Sequence, residues 1–153
     1  MIAAPIEIVS GGQTGVDRAA LDTALALGLP CGGWCPRGRR AADGPIPSRY
    51  PLRETPSASY PERTEWNVRD SDGTLVLHRG RLRGGTALTV RLARRHGRPA
   101  LTADLSAAPS ARGVREWIAR ERIRTLNVAG PREREHPGIH AQAMEFLREV
   151  LGP

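Results

Sequence analysis

IEIVSGGQTGVDRAALDTALAL, residues 6–27, decides the reading of this chain. Ile6–Val9 is short and rich in β-branched residues and stops at Gly11 and Gly12, which reads as a buried strand. From Val16 to Leu27 alanine and leucine recur at helical spacing, and Gly28 and Pro30 close the helix. Between the two lies Gly11-Gly12-Gln13-Thr14-Gly15. Such a loop is either a tight turn or a cradle for an anion at a helix head. A helix start offers unpaired N–H groups and the positive end of its dipole.

The pattern repeats along the chain. Helices are expected over Glu62–Arg69, Thr86–His96, Ala111–Arg122 and His140–Leu151. Strands are expected over Thr74–Leu77, Ala100–Ala103 and Thr125–Ala129, with a weaker one within CGGWC at 31–35. Residues 36–60 are rich in Pro, Gly and Arg and show little periodicity; so long a stretch in a compact domain is functional or unstructured. Alternating strands and helices imply parallel βαβ units. The expected fold is α/β and Rossmann-like, a parallel sheet of about five strands with helices on both faces. The order 2-1-3-4-5 would bring the strands at 74–77 and 6–9 side by side, so that two glycine-rich helix heads share one crevice.

Length and composition agree with this class. A chain of 153 residues reads as a single domain, 1–153, able to bury a core without staples. The net charge of +7 comes from arginine alone, since there is no lysine. Arginine suits planar, bidentate contact with phosphate or carboxylate, so an anionic small molecule is the expected partner. Nucleic acid is disfavoured, because the basic residues are scattered and only 4% of residues are aromatic. Cys31 and Cys35 are too few for a disulfide scaffold or a zinc site and have no matched base for nucleophilic work. The start MIAAPIEIV lacks a basic segment and a long apolar core. Together with the thiols this makes a cytoplasmic, non-membrane protein the expectation.

In open parallel sheets ligands bind beyond the carboxyl ends of the strands, so the loops there are candidates. The first is Gly11–Gly15, where Gln13 adds an amide, Thr14 a hydroxyl, and Asp17 a carboxylate in the first helical turn. Helix capping by Thr14 or Asp17 is the competing reading. The second is Arg83-Gly84-Gly85-Thr86, again glycines and a threonine before a helix. The third is Ala129-Gly130-Pro131-Arg132-Glu133, a rigid turn whose Arg132 either clamps an anion or is merely solvated. Neither a dinucleotide fingerprint nor a Walker loop is present. Arg37, Arg39 and Arg40 are placed to fold over the crevice, Arg37 as a ligand contact and Arg40 more as a surface residue. Thr64, Asn67, Asp70, Ser71 and Asp72 read as caps and turns. Trp34, Trp66 and Trp117 read as packing, and His78 and His136 have no metal-ligand spacing. Neither catalytic residues nor metal ligands are assigned.

The stretches SGGQTGVDRAALDTAL, GGWCPRGRRAADGPIPSRYPLRET, RTEWNVRDSDGTLVL, GGT and NVAGPRE together resemble the molybdenum cofactor carrier family. That family belongs to a wider group of Rossmann-like nucleotide-binding domains. The group includes the lysine-decarboxylase-like phosphoribohydrolases and the DNA-processing protein family. The resemblance implies a Rossmann-like fold, a homo-oligomer (dimer or tetramer), and binding of molybdenum cofactor without chemistry on it, for delivery to molybdoenzymes. The expected contacts are Gly11, Gly12, Gln13, Thr14, Gly15, Asp17, Arg37, Gly84, Gly85, Thr86, Gly130 and Arg132. One departure bears on the alternative, a nucleotide N-glycosidic hydrolase or a nucleotide sensor. The phosphoribohydrolases carry Gly-Gly-x-Gly-Thr-x-x-Glu; here Gly84-Gly85-Thr86-Ala87-Leu88-Thr89 lacks the glutamate.

Overall fold

A computed structural model describes residues 5–153; residues 1–4, and with them part of the start read above, lie outside the described residues. The main sheet has five parallel strands: β1 Glu7–Val9, β2 Cys31–Gly32, β3 Gly73–His78, β4 Ala100–Asp104 and β5 Thr125–Ala129. The long helices are α1 Val16–Leu27, α2 Tyr60–Arg69, α3 Gly84–Arg95, α4 Ala111–Arg120 and α5 Ile139–Leu151. Helices α1, α4 and α5 pack together on one face and α2 with α3 on the other. The expected Rossmann-like class is therefore the observed one.

The strand order is not the expected one. It runs β2-β1-β5-β3-β4, so Thr125–Ala129, not Gly73–His78, lies beside β1. Periodicity reports which face of a strand is apolar, and says nothing about which neighbour it pairs with. Leu126 and Val128 of β5 are fully buried, as an interior strand requires, but so are Leu75, Val76 and Leu77 of β3, so apolar character along the chain does not choose between them. Counted from β5 as the first strand, the order becomes 3-2-1-4-5, that of a doubly wound nucleotide-binding sheet. The chain is that topology with its last strand–helix unit moved from front to back. The switch point falls between β5, whose helix α5 lies on one face, and β3, whose helix α3 lies on the other.

Residues 31–59 are ordered without long elements. Cys31–Gly32 joins the main sheet, whereas Trp34–Cys35 turns away to pair with Arg53–Glu54. Arg39 holds the segment together: its guanidinium donates to the carbonyls of Ile46 (2.9 Å), Pro47 (2.7 Å), Tyr50 (2.9 Å) and Leu52 (3.3 Å). Those four bonds leave it no freedom to clamp a ligand. Ile46 and Tyr50 then close over Leu21, Cys35 and Ala41 as a second small core.

Two glycines let the first and last loops meet. Gly15 has φ 83°, and a Cβ there would overlap the Pro131 carbonyl. A Cβ on Gly130 would overlap the Leu77 carbonyl oxygen and the Val16 side chain. Gly85 meets nothing within 4 Å and has an ordinary helical backbone. Gly130→Ala is therefore expected to cost about 3 kcal/mol, the upper range for overpacking. Gly85→Ala should leave stability within about 0.5 kcal/mol of the parent. Urea denaturation of the two variants checks the contrast.

Candidate functional site

A cleft of about 320 Å³ opens at the switch point, over the carboxyl ends of β1, β5 and β3. Its floor is made by Gly11, Gln13 and Asp17 from the first loop and helix; Gly130 and Arg132 come from the loop after β5, and Gly85 and Thr86 from the head of α3. Helix α2 supplies the remaining wall with Tyr60, Arg63, Thr64 and Asn67.

Arg63 is the organising side chain. It is 7% exposed, and its Nη1 donates to the Gly11 carbonyl at 2.9 Å and lies 3.6 Å from Asp17 Oδ2. A side chain on Gly11 would collide with this guanidinium, which is why glycine stands there. Asp17 is also buried and accepts the Gln13 N–H at 3.3 Å. Burial pushes the Asp17 carboxyl up to about 6, against the pull of Arg63, the Gln13 N–H and Arg18. Burial likewise pulls the Arg63 guanidinium below its usual range, with Asp17 opposing. Two buried donors in this cluster, Arg63 Nε and the Gln13 carboxamide Nε2, have no hydrogen-bond partner among the described residues. Gln13 spends only its oxygen, which accepts the N–H groups of Thr14 (3.0 Å) and Ala42 (2.8 Å).

Arginines gather around Tyr60 at one side of the cleft. Three guanidiniums surround the Tyr60 ring, with Arg40 at 4.5 Å, Arg132 at 4.9 Å and Arg63 at 5.2 Å from its centroid. Glu135, 3.8 Å from Arg132, is the carboxylate on this side. Of these, Arg63 and Arg132 line the cleft, and guanidiniums at a cleft favour a negative ligand.

The expected contacts divide. Gly11, Gln13, Asp17, Gly85, Thr86, Gly130 and Arg132 line the cleft. Gly12 packs on Ile46 and Leu52, and its carbonyl accepts from Arg18. Thr14 and Gly15 face a second, open cleft beside Asp22 and His140, and Thr14 Oγ1 accepts the Glu133 N–H at 3.4 Å. Arg37 is exposed and does not line the cleft; its backbone N–H donates to the Ser57 carbonyl. Gly84 opens α3 with φ 50° without lining the cleft. Arg40, read as a surface residue, is the middle-region arginine that reaches Tyr60.

The two helix heads also differ. At α1 the Val16 N–H donates to the Pro131 carbonyl (3.2 Å), and the Gln13 and Thr14 N–H groups are held by Asp17 and Gln13. That head is closed from within. The α3 head has no side-chain cap, and its Gly85 and Thr86 border the cleft. The Thr86 N–H is spent on the Arg83 carbonyl (3.1 Å), so the free amide that α3 offers the cleft is that of Gly85, while the first loop contributes side chains.

Arg63 and Tyr60 are absent from the sequence reading. They sit on a short helix of ordinary composition after an aperiodic segment, and only their distance from Gly11 marks them. Asn67, read as a cap, clamps the Trp34 backbone through both its amide atoms (2.8 and 2.9 Å).

Fold and cleft together define a circularly permuted, doubly wound α/β domain with a cationic pocket at its switch point. The profile of the circularly permuted YpsA SLOG family matches residues 8–151. The crystal structure of a "Putative molybdenum carrier protein" from Syntrophus aciditrophicus SB superimposes with a TM-score of 0.92 at 44% identity, covering 97% of this chain and 96% of that one. The chain belongs to the circularly permuted YpsA SLOG family, and its strand order shows the permutation directly. No curated protein sequence matches it.

Asp17 carries a stability signature. Its folded pKa of about 6 lies above the ordinary 3.8, so its contribution favours the fold while protonated and is lost as pH rises from about 4 through 6. At roughly 1.4 kcal/mol per pH unit, Asp17→Asn is expected to exceed the parent protein by about 3 kcal/mol at pH 7.5. Near pH 4 the two should be alike. Denaturation midpoints at the two pH values check this.

Proposed function

We propose that this protein binds and carries molybdenum cofactor, holding its phosphate or metal-bearing end in the cleft between α2, α3 and the first loop. The observation that carries the reading is the buried, partnerless donor pair of Arg63 and Gln13, with the Arg132 guanidinium beside it in the same cleft. Such a site is short of acceptors, and a phosphate-bearing, oxygen-rich ligand supplies them. Gly85 strengthens it: its lack of a side chain serves no packing need, yet it borders the cleft, as expected where a ligand approaches backbone. The 44%-identical protein described as a molybdenum carrier supports the cargo class.

The nucleotide reading has one observation in its favour, the 3-2-1-4-5 order with the cleft at its switch point. Hydrolysis at a glycosidic bond is less well supplied. Thr89 stands where the related enzymes carry glutamate, and its hydroxyl donates to the Gly85 carbonyl at 2.9 Å. Asp17 is backed against Arg63, and Glu135 against Arg132. A carrier needs release more than chemistry, and an open cleft suits that. We place the protein in the cytoplasm as a homo-oligomer that passes its cargo to molybdoenzymes.

Denaturing the purified protein and assaying the supernatant tests the proposal. Oxidised pterin together with molybdenum is expected, and nucleotide without either would overturn it. Incubation with nucleoside monophosphates is expected to release no free base. Arg132→Ala should lower pterin occupancy about tenfold, the scale of one charge-assisted contact. Thr14→Val, on the other cleft, should leave it unchanged.

A further inference from the structure

We propose that Arg63 and Gln13 form a seat for one tetrahedral oxyanion and that Asp17 is its proton-linked counter-charge, so that the cleft captures the anion with uptake of a proton and releases it as the proton leaves. This deepens the carrier reading and rests on the same cleft, but it concerns how an anion is gripped, whatever molecule bears it.

The geometry supplies both halves. Arg63 and Gln13 are each more than nine-tenths buried, line the cleft, and carry donors without acceptors. They are tied together through Asp17, which accepts the Gln13 N–H at 3.3 Å and stands 3.6 Å from Arg63 Nη1. An oxyanion accepting from Arg63 Nε and Gln13 Nε2 would satisfy both. It would also put a second negative group beside a guanidinium that now has one. Like charges in a buried site raise the affinity of the carboxyl for a proton.

The other groups facing this cluster do not replace that carboxyl as the proton acceptor. Helix α2 presents Arg63 and Tyr60, and α1 itself presents Arg18, which is held in an ion pair with Asp43 (2.6 Å). The loop after β5 presents the Gly130 backbone to Asp17 and Arg132 to Arg63, and Trp34–Cys35 presents the buried Cys35 thiol to Arg63. Burial pushes that thiol up, away from neutral pH, and leaves Asp17 as the group that titrates near 6. Glu135 lies further out against Arg132.

Sulfate is the probe, because it stays dianionic across the range. Calorimetric titration of the dialysed protein with sodium sulfate is expected to show affinity falling about tenfold between pH 5.5 and 8. Titration near pH 7 in buffers of different ionisation heat should show net proton uptake. Asp17→Asn should bind at pH 8 as the parent does at pH 5.5, with no uptake. Gln13→Leu should weaken binding about tenfold at both pH values, and Arg63→Lys should weaken it further. Glycerol phosphate displacing sulfate better than molybdate assigns the seat to a phosphate group, and the reverse to a metal-oxo end. Affinity flat with pH in the parent, undiminished affinity in Gln13→Leu, or no sulfate binding at millimolar concentration overturns the proposal. Recovery of nucleotide in place of pterin would remove the carrier reading and leave this linkage intact; loss of the linkage with pterin recovered would do the opposite.

Discussion

The contact between the loop after β1 and the loop after β5 governs this molecule. The Val16 N–H bonds to the Pro131 carbonyl, and Gly15 and Gly130 are the residues that let the two backbones come so close. This contact fixes β5 beside β1, and with it the switch point. It also closes the α1 head from within, so a ligand cannot use those amides. The first loop then acts through side chains, Gln13 and Asp17, and leaves the free backbone donor to Gly85 of α3.

What the cleft gains from this arrangement is buried donors without acceptors. Arg63 is brought indoors by α2 and meets a carbonyl and a distant carboxylate, fewer acceptors than its five N–H groups require. Asp17 is held where burial disfavours its charge. Both features oppose stability, and neither is needed to pack α1 against α5, which small residues such as Ala20 and Ala24 already allow. Residues that work against their own fold in this way cluster where a ligand completes them. Arg39 shows the contrast: four of the five N–H groups of its guanidinium meet carbonyls.

The family connection is consistent with this picture. Permutation leaves a doubly wound sheet intact because the strands still meet the same neighbours; only the point where the chain starts has moved. The cleft is therefore built from the first and last loops of the chain, which in sequence stand more than a hundred residues apart.

Much of the frame was legible in the residues themselves. α1 and β5 fall at the bounds that their patterns indicate, because apolar spacing and the closing Gly28 are local properties. The paired glycines marked Gly11 and Gly85, and the Gly-Pro turn marked Gly130, as special for the same reason. Only the tertiary structure decided which strand lies beside β1, which helix head is open, and that Arg63 rather than Arg37 enters the site. Each of these depends on contact between segments far apart in the chain, and side-chain chemistry read along one dimension carries no record of distance across it.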